Sequence, residues 1–73
     1  MNKLKYNIDD EVKFSLEMNG RTFNVKGEVK IIDAYGTFEQ KEEPSYDVMI
    51  NNPLEPSQQI LIKHIRESSL END

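Results

Sequence analysis

The chain has 73 residues, of which 36% are hydrophobic and 32% are charged, and it contains no cysteine. That length allows one domain with a core that only just outweighs chain entropy. The absence of cysteine excludes a disulfide framework, a thiolate nucleophile and a zinc site built on sulfur. The net charge of −5 lies wholly in residues 37–73, and such a field repels phosphate backbones and attracts basic protein surfaces.

The distribution of apolar residues predicts neither a membrane-spanning helix nor a signal peptide. No apolar run approaches the ~20 residues that a membrane-spanning helix needs. The N-terminal residues carry charge without a hydrophobic stretch of signal-peptide length. We therefore expect a soluble, cytoplasmic, single domain over residues 1–73.

The first predicted element is a strand over residues 11–17, in which apolar and polar residues alternate strictly. The acidic run Asp9–Glu11 leads into it. A calcium loop needs ligands spaced along a curved segment, whereas consecutive residues entering a strand point to opposite faces, so at most two of these carboxylates converge. We interpret the run as the turn that begins the strand, and we expect no metal site.

A hairpin follows, because Asn19-Gly20 supplies the two positive-φ positions of a type I′ turn. The next strand has one apolar face, and Gly27 lies on that same face. A glycine inside a strand indicates a bulge or the tight bend of a barrel corner, because it has no side chain to resist curvature or close approach. The residues predicted to share this inward face are Phe23, Val25, Val29 and Ile31.

The middle of the chain predicts a bend, a loop and a third strand. Residues 33–38 indicate a change of direction or an irregular strand, and residues 39–45 an exposed acidic loop. A strand over residues 46–50 then alternates apolar and polar side chains. Residues 51–57 hold two prolines and two asparagines, which predicts another loop.

Residues 57–69 fit two structures. As a strand, this segment places Ile60 and Ile62 inward; as a helix beginning near Ser57, it places Leu61 and Ile65 on one face. The β-branched residues favour the strand. We expect a single 3₁₀ turn after it and then a short last strand with Leu70 buried, and the helix stays open as the alternative.

These elements predict an all-β fold, a small SH3-like barrel of four to five antiparallel strands with a 3₁₀ turn before the last strand. The succession of residues 6–14, the hairpin, residues 25–33, residues 45–50 and residues 60–71 resembles the SH3-like barrels of the Tudor and KOW kind. Such domains open with a hydrophobic residue, a Gly-Asp pair and a strand.

Residues 8–12, "IDDEV", match that opening except that Asp9 stands where glycine is usual. Size and the Lys/Asn/Ile/Glu bias also resemble short proteins of phages and mobile elements in Gram-positive bacteria. Neither resemblance implies an activity, because this fold hosts many unrelated functions.

Catalytic chemistry has little basis in the residues. His64 is the single histidine and would be the natural general base. No motif supplies a nucleophile or an orienting partner. We expect a structural histidine, no enzyme activity and no cofactor.

Aromatic side chains offer a binding chemistry. In Tudor-like barrels, loop aromatics can surround a methylated ammonium group by cation–π attraction, so the resemblance implies a cage among Tyr6, Tyr35, Phe38 and Tyr46. Packing in the core is the favoured interpretation of these side chains.

The sequence therefore predicts a non-enzymatic small binding module whose partner is another protein, basic if the acidic second half contacts it. The chain itself would be a monomer or a homodimer through an edge strand. The predicted contacts are Tyr35, Phe38, Glu39, Glu42 and Glu43.

The alternative is a nucleic-acid-binding accessory factor that uses Lys13, Lys26 and Lys30 on the outward face of the first hairpin. Glu17 and Glu28 interrupt that stripe, and the net charge opposes it.

Overall fold

Five antiparallel strands form one sheet in the computed structural model, which describes residues 4–34 and 43–72. The strands are β1 (Glu11–Met18), β2 (Arg21–Asp33), β3 (Ser45–Asn52), β4 (Glu55–Arg66) and β5 (Glu71–Asn72), and a 3₁₀ turn at Glu67–Ser69 separates β4 from β5. The all-β class, the antiparallel pairing and the turn before the last strand are confirmed. Within these residues no helix has the length and apolar character to cross a membrane.

The sheet is open, in the order β4-β3-β2-β1-β5. The predicted closure into a barrel is therefore corrected for the described part of the chain, where β4 and β5 are the two edges. The reason is the length of β5, whose two residues pair only with β1. One core cluster nevertheless draws side chains from every strand but β5: Tyr6, Val12, Phe14, Val29, Tyr46, Val48, Ile50, Ile65 and Leu70.

The first hairpin forms as predicted. Asn19 and Gly20 have φ values of 50° and 73°, and Met18 pairs with Arg21 across the turn. Both central residues thus occupy the left-handed region that a type I′ turn requires, and this turn fixes the register of β1 against β2.

Gly27 lies where β2 passes from one neighbour to the other. It pairs with Val12 of β1 on one side and with Ile50 of β3 on the other. A Cβ atom at Gly27 would overlap the carbonyl oxygen of Met49. Gly27 therefore marks a close approach of the β3 backbone, whereas the bulge of β2 lies farther along, between Val29 and Ile31.

A β-bulge changes the face of β2 beyond Val29. Val29 pairs with Val48, whereas Ile31 pairs with Asp47, so β2 has one extra residue at this point. The extra residue reverses the alternation: Ile31 is 52% exposed, and Ile32 packs against the core instead. The prediction that Ile31 faces inward is wrong for this reason.

A second bulge lies on β4, which is a strand and not the alternative helix. Ile62 pairs with Val48 and Ile65 pairs with Tyr46, so β4 also has one extra residue opposite Asp47. Its left-handed position is His64, with φ 62°. Ile60 and Ile62 pack against the core, as the strand prediction for them requires. The bulge brings Ile65 to the same face.

The strand β4 begins earlier than predicted. Only Pro53 and Leu54 form the turn after β3, and the Asn52 side-chain oxygen accepts a hydrogen bond from the Leu54 N–H at 2.9 Å. Pro56 lies inside β4, which an edge strand tolerates because it needs no second ladder.

Candidate functional site

The predicted partner contacts lie mainly outside the described residues. This applies to Tyr35, Phe38, Glu39 and Glu42. Glu43 is described and half-buried, and its two carboxylate oxygens accept hydrogen bonds from the N–H and the hydroxyl of Ser68, at 3.1 and 2.9 Å. Its carboxylate thus anchors the 3₁₀ turn.

Tyr6 and Tyr46 are core residues and do not form a loop cage. Their rings meet edge to face with centroids 5.5 Å apart. The Tyr46 hydroxyl donates to Oε2 of the buried Glu67 at 2.6 Å. Burial, followed by the hydrogen bond to Glu67, raises the pKa of Tyr46 to about 12.

The acidic run before β1 is the predicted turn. Asp9 has φ 72°, so it adopts the left-handed conformation for which glycine is usual at this position. The Asp10 N–H donates to the Asn7 carbonyl at 3.1 Å, and an Asp10 carboxylate oxygen accepts from the Asn7 N–H at 2.8 Å. Nowhere in residues 4–34 and 43–72 do three metal-ligating side chains gather.

The three lysines of the alternative site share the outer face of the sheet but do not form a basic stripe. Lys13 pairs with Lys26 across β1 and β2, and the next outward pair is Glu11 with Glu28. Lys30 lies 2.9 Å from an Asp9 oxygen and 3.8 Å from a Glu28 oxygen; the hydrogen bond with Asp9 raises the pKa of Lys30. Acids and bases alternate here, which is a poor match to a row of phosphates.

His64 serves the backbone of β4. Its N–H donates to an Asp47 carboxylate oxygen at 3.0 Å, and its side chain is exposed. Asp47 lies opposite the extra residue of both bulges, so this carboxylate stabilises an irregular stretch of sheet. Because this contact uses the main-chain amide, the expectation of a structural histidine stays a prediction.

The sequence predicts an edge strand but not its position. We call residues 15–18 the free edge of β1. Met18 and Arg21 flank a two-residue turn and form a hydrogen-bonded pair, after which such pairs recur at every second residue. Ser15 and Glu17 therefore direct their N–H and C=O groups away from β2. Since β5 covers β1 only as far as Lys13, these groups have no partner in the described part of the chain.

A groove and an apolar face accompany the free edge. The apolar face belongs to the hairpin arm, residues 15–24, where Leu16 pairs with Phe23 and both side chains are half-buried. Leu16 packs against the core, while the Phe23 ring is covered by the Arg21 guanidinium at 5.0 Å. The groove is lined by Lys13, Phe14, Ser15, Asn24, Ser69 and Glu71.

The sequence predicts the free edge of β1 only in part. The turn at Asn19-Gly20 and the alternation of β1 are visible in the sequence, and they determine which backbone groups face β2. The length of β5 is not visible in the sequence, because a strand of two residues is too short to show an alternating pattern. Comparison with family models, with curated proteins and with solved structures found no match, so the chain's own geometry carries the inference about its function.

Proposed function

We propose that the protein is a non-enzymatic binding module whose partner is another protein, held at the free edge of β1 and the adjoining face of the hairpin arm. The observation that carries the proposal lies beside the half-buried Leu16: the backbone groups of Ser15 and Glu17 that point away from β2 have no partner among residues 4–34 and 43–72. Unpaired strand edges bind other chains through main-chain hydrogen bonds, and apolar side chains beside them add burial. We also propose a relation to SH3-like barrels, supported by the five antiparallel strands and the 3₁₀ turn.

Charge favours a protein partner over nucleic acid. The lysines of the first hairpin are interleaved with acids, and the chain carries −5. The alternative of a nucleic-acid-binding factor through Lys13, Lys26 and Lys30 is therefore the weaker proposal. Tyr35, Phe38, Glu39 and Glu42 stay predicted contacts, whereas Glu43 is engaged with Ser68.

Affinity capture from a lysate, with and without nuclease, tests the proposal. The informative variant is Phe23→Ser on the hairpin arm, and the matched control is Leu54→Ser in the turn after β3, where Leu54 is 45% exposed. We expect a protein that is retained after nuclease by the wild type and the control and lost with Phe23→Ser. Circular dichroism should show that both variants keep their strands.

Two results would contradict the proposal. A partner set that disappears after nuclease treatment would favour nucleic acid, and Lys26→Ala with Lys30→Ala should then weaken binding to every sequence, with a smaller salt dependence. Equal capture by Phe23→Ser and the wild type would exclude the hairpin arm as the contact surface.

A further inference from the structure

We infer that the free edge of β1 takes up an extended basic segment of the partner protein as an added antiparallel strand. This inference rests on the proposed function and specifies its chemistry. The added strand would place an apolar side chain beside Leu16 and a lysine or arginine opposite Glu17. Its backbone would bond to the N–H and C=O groups of Ser15 and Glu17.

The fold keeps this edge open. In β5, Glu71 pairs with Lys13 and Asn72 with Val12, so the strand runs away from Ser15. The residue before β5, Leu70, is buried, and Ser69 already belongs to the 3₁₀ turn. An incoming strand can therefore pair with Ser15 and Glu17 and end before Phe14, without displacing β5.

The side chains along the edge select the occupant. Leu16 lies on the inner face of β1, and Ser15 and Glu17 lie on the exposed outer face. Glu17 has no ionic partner in the described part of the chain, whereas Lys13 lies 3.9 Å from a Glu71 oxygen. Opposite charges facing each other across strands are stabilising, and the chain's net charge acts in the same direction.

A second copy of this chain fits the edge poorly. In an antiparallel pair of two copies, residues whose backbone groups point away from β2 must face each other. Over residues 15–18 this allows three registers: Ser15 against Ser15, Ser15 against Glu17, and Glu17 against Glu17. Glu17 against Glu17 of a second copy places like charges opposite each other. The registers that set Ser15 against Ser15 or against Glu17 extend the ladder to Phe14, which lines the same groove as Ser69.

The other edge strand is less suited to an added strand. β4 contains Pro56, and its pairing is irregular both between Glu55 and Gln59 and at His64. Proline, bulges and an edge lysine such as Lys63 are the devices by which sheet edges avoid further pairing. The free edge of β1 has neither proline nor bulge.

Peptide binding followed by NMR tests the inference directly. The probe is an eight-residue peptide of alternating lysine and valine, and the control is the same peptide with glutamate for lysine. We expect the lysine peptide to shift the amide signals of residues 15–18 and to slow hydrogen exchange at Ser15 and Glu17. Glu17→Lys should weaken the affinity for the lysine peptide by about tenfold and favour the glutamate peptide. Glu55→Lys, an equal charge change on β4, should leave the affinity for the lysine peptide unchanged.

The inference is wrong if the lysine peptide shifts signals only outside residues 15–18, or none up to millimolar concentration. Ser15→Pro separates this failure from that of the proposed function, because proline removes an N–H that faces solvent and spares the ladder to β2. A captured protein that Ser15→Pro and Glu17→Lys retain fully would overturn strand addition while protein binding stands. If wild type retains no protein, the proposed function fails, and the peptide experiment alone decides on the edge.

Discussion

At the scale of single residues, Gly27 and Asp9 show how a backbone position restricts its side chain. Gly27 has no room for a Cβ because Met49 and Ile50 of β3 approach the backbone. Asp9 has room but adopts φ 72°, and its carboxylate bonds to Lys30 at 2.9 Å. The departure from the Gly-Asp opening is therefore accommodated by a residue that tolerates left-handed backbone better than most.

Gly27→Ala should lower the free energy of unfolding by about 3 kcal/mol, because the new methyl group would overlap the Met49 carbonyl oxygen and force β2 from β3. The matched control is Gly20→Ala, where no atom lies within 4 Å of the new Cβ but φ is +73°. We expect the control to lose only about 1 kcal/mol through backbone strain. Urea unfolding measures both, and equal losses would show that β2 and β3 separate easily at Gly27.

At the scale of elements, bulges on β2 and β4 decide which side chains enter the core. Each bulge adds one residue opposite Asp47, and each reverses the alternation beyond it. Ile32 and Ile65 thereby reach the core in place of residues that simple alternation selects. Strand alternation within β1 needs no such correction, because its ladder with β2 is unbroken.

His64→Gly should stabilise the protein by up to about 1 kcal/mol, because glycine removes the left-handed strain at the β4 bulge at some cost in chain entropy. Lys63→Gly is the matched control, since Lys63 is an exposed neighbour without a positive φ. It should destabilise by about 0.5–1 kcal/mol. Thermal and urea unfolding measure the stability of both variants. An equal loss of stability in the two would contradict the assigned bulge.

At the scale of the whole molecule, a buried polar cluster joins the two ends of the chain. The Tyr6 hydroxyl donates to the Leu70 carbonyl at 3.0 Å, and the Lys5 N–H donates to Glu67 Oε2 at 3.0 Å. Glu67 also accepts the Tyr46 hydroxyl. Since both tyrosines enter these bonds as neutral donors, the cluster requires protonated phenols.

Stability should therefore fall at alkaline pH. The pKa of Tyr46 rises from 10.0 to about 12 on folding, and burial also raises the pKa of Tyr6. Because the folded state holds the phenol proton more tightly than the unfolded state, this proton contributes to the free energy of unfolding. That contribution is complete below pH 10 and is lost as the pH rises toward about 12. Urea unfolding at stepped pH, with phenolate absorbance, measures this loss.

Tyr46→Phe is the control for that titration. It should remove the component of phenolate absorbance that titrates near pH 12 and reduce the pH dependence of unfolding, leaving the smaller contribution of Tyr6. If the folded wild type titrates all its tyrosines near pH 10, the buried bond between Tyr46 and Glu67 is contradicted.

Residue patterns predict the local features of this protein: the type I′ turn at Asn19-Gly20, the alternation of β1, the strand over residues 46–50 and the 3₁₀ turn before a buried Leu70. These features depend on φ preferences and on the two-residue period of a strand. Both act between residues close in the chain.

Pairing between strands sets the bulges, the open sheet, the exposure of Ile31 and the free edge of β1. Each depends on which residue of one strand meets which residue of another, and no local preference sets that register. Glu43 illustrates the difference: an acidic loop residue by composition, it holds Ser68 of the 3₁₀ turn. The free edge exists because β5 ends its pairing at Lys13, a result of how the chain returns through that turn to β1.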